Sequence, residues 1–118
     1  MDTIMDLIKM FVLIENYHKE HGHTKVGDMQ SLRNNALALM MELAELIDST
    51  PWKVWRPTED QLFNKDNAIR EVIDILFFLV GICENLEITP IELEAKFEQV
   101  LKNNYKRLNN GYSLRGDK

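Results

Sequence analysis

The chain has 118 residues, enough for one hydrophobic core, and its 45% hydrophobic and 28% charged residues are an ordinary globular balance. A formal net charge of −5 argues against a nucleic-acid polymer as partner, which would call for a basic surface, although a bound divalent cation can invert the local field for a single nucleotide. The single cysteine, Cys83, excludes an intramolecular disulfide and a C-x-x-C zinc or redox site; set in an apolar run, it is expected to be a small buried hydrophobe.

At the N-terminus no basic stretch leads into an apolar one, and the longest apolar run, residues 73–82, is about half a membrane span and carries Asp74. A cytoplasmic protein without a membrane partner is therefore expected. Five glycines and three prolines fall between periodic segments, and strand-like alternation is nearly absent. These features predict an all-α chain, a four-helix bundle.

The first helix is predicted over residues 3–20, with Ile4, Leu7, Ile8, Phe11, Ile14 and Tyr17 as its stripe and Gly22 as its stop. The second is predicted over 29–47, with Leu32, Ala36, Met40, Leu43 and Ile47 facing inward, and Pro51 prevents its continuation. A loop over 50–65 holds both tryptophans and two prolines; it is long for a helix–helix connection, which points to function. The third helix, over 66–85, is apolar almost all round, so it should sit centrally or have a second face covered by another subunit. The fourth starts on the clearest local signal in the chain. Thr89 is an N-cap, Pro90 the first helical residue and Glu92 the return partner of a capping box. Leu93, Phe97, Val100, Leu101 and Leu108 give this helix its apolar face, and Gly111 ends it. Residues 1–112 are read as a single domain and 113–118 as a mobile tail. A four-helix chain this short often completes its core with a copy of itself, so a homodimer is expected and a tetramer stays open.

Two acidic pairs interrupt this pattern. Glu42 and Glu45 lie three apart on the second helix, Glu71 and Asp74 three apart on the third, so each pair shares a helix face. Asp74 is flanked by Val72, Ile73, Ile75, Leu76, Phe77 and Phe78, which predicts largely apolar surroundings in which a lone carboxylate would be costly. Two facing pairs would make an oxygen-rich site for Mg²⁺ or Mn²⁺, whereas zinc would want histidine or cysteine. Spacing alone leaves a second reading open, two solvated acidic faces. A di-iron bundle needs two Glu-x-x-His motifs; Glu15 and His18 supply one, and Gly22 interrupts Glu20 to His23. His18, His21 and His23 are instead read as a polar helix end and loop.

Residues 36–48, the Lys53-Val54-Trp55 element and residues 71–79 resemble the all-α nucleoside triphosphate pyrophosphatases, the group holding the MazG-like proteins and the dimeric dUTPases. Glu42, Glu45, Glu71 and Asp74 match the pattern E-E-x-x-E, gap, E-x-x-D, with Met41 in place of the first glutamate. That departure brings the chain closer to the dimeric dUTPases, whose first motif reads E-x-x-E and is followed by a lysine–tryptophan element. Residues 101–112 are similar to the C-terminal element of that branch, and the resemblance covers about residues 32–112.

The resemblance implies an all-α pyrophosphatase fold and cleavage of a nucleoside triphosphate to the monophosphate and pyrophosphate, with dUTP as substrate. It makes Glu42, Glu45, Glu71 and Asp74 the catalytic ligands of Mg²⁺ or Mn²⁺, one of them orienting the attacking water. Lys53, Lys102 and Arg107 are the candidates for the triphosphate oxygens. Trp55 or Trp52 would stack on the base; Asn16, Asn103 and Asn109 would offer the paired donor and acceptor of a uracil edge; Tyr112 would close over the sugar. The alternatives are a MazG-like pyrophosphatase acting on dCTP or a broad range of nucleotides, a non-catalytic helical interaction module, and a structural bundle whose third helix packs in a dimer. The interaction module predicts loss of acidic positions, and all four are present; the structural bundle leaves Asp74 without a reason.

Overall fold

The computed structural model describes residues 5–22 and 24–110; Ile4, His23, Gly111, Tyr112 and the 113–118 tail lie outside them. In chain order the elements are α1 (Leu7–His21), α2 (Met29–Asp48), a single 3₁₀ turn (Thr58–Asp60), α3 (Lys65–Asn85) and α4 (Pro90–Asn109). The described residues contain no strand, and the fold is all-α.

Each helix begins where a side chain satisfies its free N–H groups. Asp6 accepts from Lys9 N at 2.8 Å, so α1 starts at Leu7, later than the apolar stripe suggests. Asp28 caps α2 and Asn64 caps α3. Thr89 and Glu92 form the expected capping box, with bonds of 3.1 and 2.9 Å. Gly22 ends α1 in the left-handed region at φ 65°, its N–H returning to His18 O. Beyond α2, the Gln61 side chain fixes the loop, accepting from Lys53 N and donating to Lys53 O, both at 3.0 Å.

The Cα packing divides the chain into two compact units, one ending at Glu87 and one beginning at Ile88. In the first unit α3 packs along α2 and, less extensively, against α1. Its core is small: Phe11, Ile14, Val80 and Cys83 are buried. Burying each of the larger three contributes about 2 kcal/mol. Among them lie the buried polar residues His18, Ser31, Asn35 and Asn85.

The central position expected of α3 holds only towards its C-terminal end. Val80, Gly81, Cys83 and Asn85 are buried, whereas Ile69, Val72, Ile73 and Leu79 are about half exposed. Two neighbouring helices cannot cover a helix that is apolar on every side. In the second unit, α4 exposes Phe97, Val100, Leu101 and Leu108 and buries no residue. No helix among the described residues is long and apolar enough to cross a membrane.

Candidate functional site

The packing of α2 along α3 brings the two acidic pairs together. Carboxylate oxygens of Glu42, Glu45 and Glu71 lie within 4.8 Å of one another. Asp74 stands beside this trio, its charge acting on both Glu42 and Glu71. Among the described residues, ion pairs join His18 to Glu84 and Arg70 to Asp66, and none reaches these four acids.

This arrangement opposes ionisation. Burial pushes the Glu42 carboxyl above its usual value, and the charges of Glu45, Glu71 and Asp74 push it further. Burial, then Glu45 and Asp74, do the same to Glu71. One Glu71 oxygen, Oε2, is fully buried and accepts no hydrogen bond. An unpaired buried acceptor inside an all-oxygen cluster fits a hard divalent cation better than it fits a solvated face.

The location of Asp74 departs from expectation. It is exposed, because the apolar residues flanking it in sequence turn away around the helix and its own face opens onto a cleft. The cleft has a volume of about 400 Å³ and is lined by Tyr17, His18, Thr24, Asn35, Asp74, Phe77 and Phe78. Asp74 thus belongs to both the acidic cluster and the cleft. His18 is also unlike its sequence reading as part of a polar helix end. It is 6% exposed, its Nδ1 lies 2.5 Å from Glu84 Oε2, and its ring meets Phe77 edge-on at 6.2 Å.

Glu45 faces a second groove of about 450 Å³, with Met41, Ala44, Ile47, Asp48 and Trp52. Trp52 donates its indole N–H to Asp48 at 3.3 Å and meets Trp55 edge-on at 5.4 Å. Lys53 Nζ lies 5.9 Å from the Trp52 ring. Trp55 and Lys53 are therefore placed near Trp52, next to the acidic helix face. Asn16 is exposed on α1 and is not among the residues lining the cleft. Lys102, Asn103, Arg107 and Asn109 all lie on α4, in the second unit.

Sequence reasoning missed Asn35, Asn85 and Glu84. Asn35 donates to Asn85 Oδ1 at 2.8 Å, and both amides are buried. The available signal was Asn35 three residues after Leu32, on the apolar stripe of α2, where a polar residue needs a partner.

A family model described as dUTPase matches residues 9–89, a stretch containing the acidic cluster and every residue of the cleft. No curated protein and no solved structure matches the chain.

Proposed function

The chain belongs to the dUTPase family, and from that premise we propose that it hydrolyses dUTP to dUMP and pyrophosphate with the help of a divalent cation. Membership of the family makes it a nucleoside triphosphate hydrolase; the base and the cation are our reading. One observation carries it: Glu42, Glu45 and Glu71 gather with Asp74 beside them and no ion pair to a base among the described residues, and Asp74 also walls a cleft with aromatic sides.

Glu42, Glu45, Glu71 and Asp74 would hold Mg²⁺ or Mn²⁺. A bound cation would supply Lewis acidity at a phosphoryl oxygen and offset the negative charge of the triphosphate. The protein's own share is mostly positioning, as phosphoryl transfer requires. One of these four carboxylates would also orient the attacking water. Lys53, beside the acidic face of α2, is assigned to the triphosphate oxygens. The aromatic side chains of Tyr17, Phe77 and Phe78 suit a planar base, and Asp74 at the cleft wall links that base site to the carboxylates that would hold the cation.

The base and sugar roles read from sequence for Trp55, Asn16, Asn103, Asn109 and Tyr112 are the alternative to seating the base in this cleft; Lys102 and Arg107 keep the phosphate role read from sequence, and residues 1–112 are proposed as one catalytic domain. The proposal also extends to a homodimer. Leu7, Ile8, Val12 and Leu13 on α1 and Val72 and Ile73 on α3 are exposed, an apolar surface that a second copy would cover.

The test is pyrophosphate release from a panel of dNTPs and NTPs, with Mg²⁺ and with chelator. Cation-dependent release from dUTP, well above the other nucleotides, is expected. Comparable release from dCTP or from many nucleotides would replace dUTP with a broader substrate range. No release from any of them would overturn the enzymatic reading.

A further inference from the structure

Asn35 is 9% exposed and lines the cleft, and a chain of hydrogen bonds fixes which way its amide points. The carbonyl of Lys25 accepts from Asn85 Nδ2 at 2.8 Å. Asn85 must therefore offer its oxygen on the other side, where it accepts from Asn35 Nδ2 at 2.8 Å. Asn35 Nδ2 also donates to Thr24 Oγ1 at 3.4 Å. Turning the Asn35 amide over would set its oxygen against that of Asn85. Gly81 closes the arrangement, since a Cβ there would lie 2.9 Å from Asn35 Nδ2.

With both hydrogens of Nδ2 engaged, the remaining polar atom is Oδ1. It accepts from no described residue, yet it is not sealed off. The fully buried side-chain polar atom without a partner, among the described residues, is Glu71 Oε2. Oδ1 is therefore the acceptor that Asn35, a residue otherwise removed from water, has left to offer in a cleft it lines together with Tyr17, Phe77 and Phe78.

We propose that Asn35 is the residue that selects the base, its Oδ1 accepting the ring N3–H of uracil. Cytosine carries a lone pair at that ring position, and two acceptors would face each other. A freely rotating amide could serve either base; the bonds to Asn85 and Lys25 remove that freedom. This inference rests on the pyrophosphatase reading and adds to it the origin of base preference.

The experiment compares kcat/KM for dUTP and dCTP, together with binding of dUMP and dCMP in chelator by calorimetry, in the wild type, Asn35→Ala and Asn85→Ala. Asn35→Ala is expected to lower kcat/KM for dUTP by about tenfold or more, chiefly through KM, with dCTP changing by less than about threefold. Asn85→Ala frees the amide of Asn35, so the dUTP-to-dCTP ratio should fall towards one. Parallel losses on both nucleotides would show a structural role only and overturn the proposal. If the variants fail to fold by circular dichroism, a crystal structure of the wild type with dUMP decides. N3 within hydrogen-bond distance of Asn35 Oδ1 supports the proposal, and a longer separation overturns it. Wild-type protein inert towards every nucleotide would defeat the pyrophosphatase reading itself. Activity with an unmoved base ratio would defeat only the role of Asn35.

Discussion

The two ends of α3 each carry polar side chains and treat them differently. Near its C-terminus, Glu84 pairs with His18 and Asn85 with Asn35 and the Lys25 carbonyl. Two turns and more towards the N-terminus, the charges of Glu71 and Asp74 are set against those of other acids, and one Glu71 oxygen is buried without a hydrogen-bond partner. A polar group whose needs are met inside the protein ties helices together. A polar group opposed by its own kind retains its capacity for a ligand, at a cost to the empty fold. The same helix thus carries both a fastening and a site.

The largest effect that could break this contrast lies at the acidic end. Glu45→Gln removes one charge from the cluster while keeping the side chain's shape. Cation-dependent hydrolysis should fall on the order of a thousandfold, since a cation's electrostatic share of catalysis is worth several kcal/mol. Steady-state pyrophosphate release measures it, and retained activity would remove Glu45 from the metal site.

A middle-sized effect belongs to the other end. Glu84→Ala leaves the buried His18 ring without its partner and should destabilise the chelated protein by about 2 kcal/mol, several degrees in the thermal midpoint. Saturating Mg²⁺ should still raise that midpoint as much as in the wild type, because the fastening and the site are separate. A lost Mg²⁺ shift would show that they are coupled.

The smallest effect has the opposite sign. Glu71→Gln should slightly raise the chelated protein's midpoint and abolish the shift with Mg²⁺. The pH dependence follows the same logic. Glu42 and Glu71 hold their protons above the usual 4.5 when the chain is folded. Between 4.5 and those raised values the folded form binds more protons than the unfolded one, so stability falls as pH rises through that window. Metal-free protein should therefore gain stability on acidification towards 4.5 from these two groups. A cation competes with the same protons, so its stabilising effect should grow with pH, as melts with and without Mg²⁺ across the range would show.

What the sequence made legible was local. The start of α4 follows from its capping box and the end of α2 from Pro51, and the four carboxylates follow from three-residue spacing on two helices. The exposure of Asp74 was not legible, because apolar neighbours along a helix do not surround a side chain that points another way. Nor were the fastenings. His18 and Glu84 stand 66 positions apart and Asn35 and Asn85 50 apart, and no short pattern announces a partnership at such range.

Those separations also set an order of events in time. The capping box of α4 uses only Thr89 to Glu92, so this helix can nucleate from a single turn, on the microsecond scale of helix formation. The Asn35–Asn85 bond must instead close a 50-residue span, an entropic cost of about 3.5 kcal/mol from the logarithm of loop length alone. That cost is recovered only when α2 and α3 are already side by side. Formation of the paired amides is accordingly a late step in folding, and the oriented acceptor in the cleft exists only in chains that have finished.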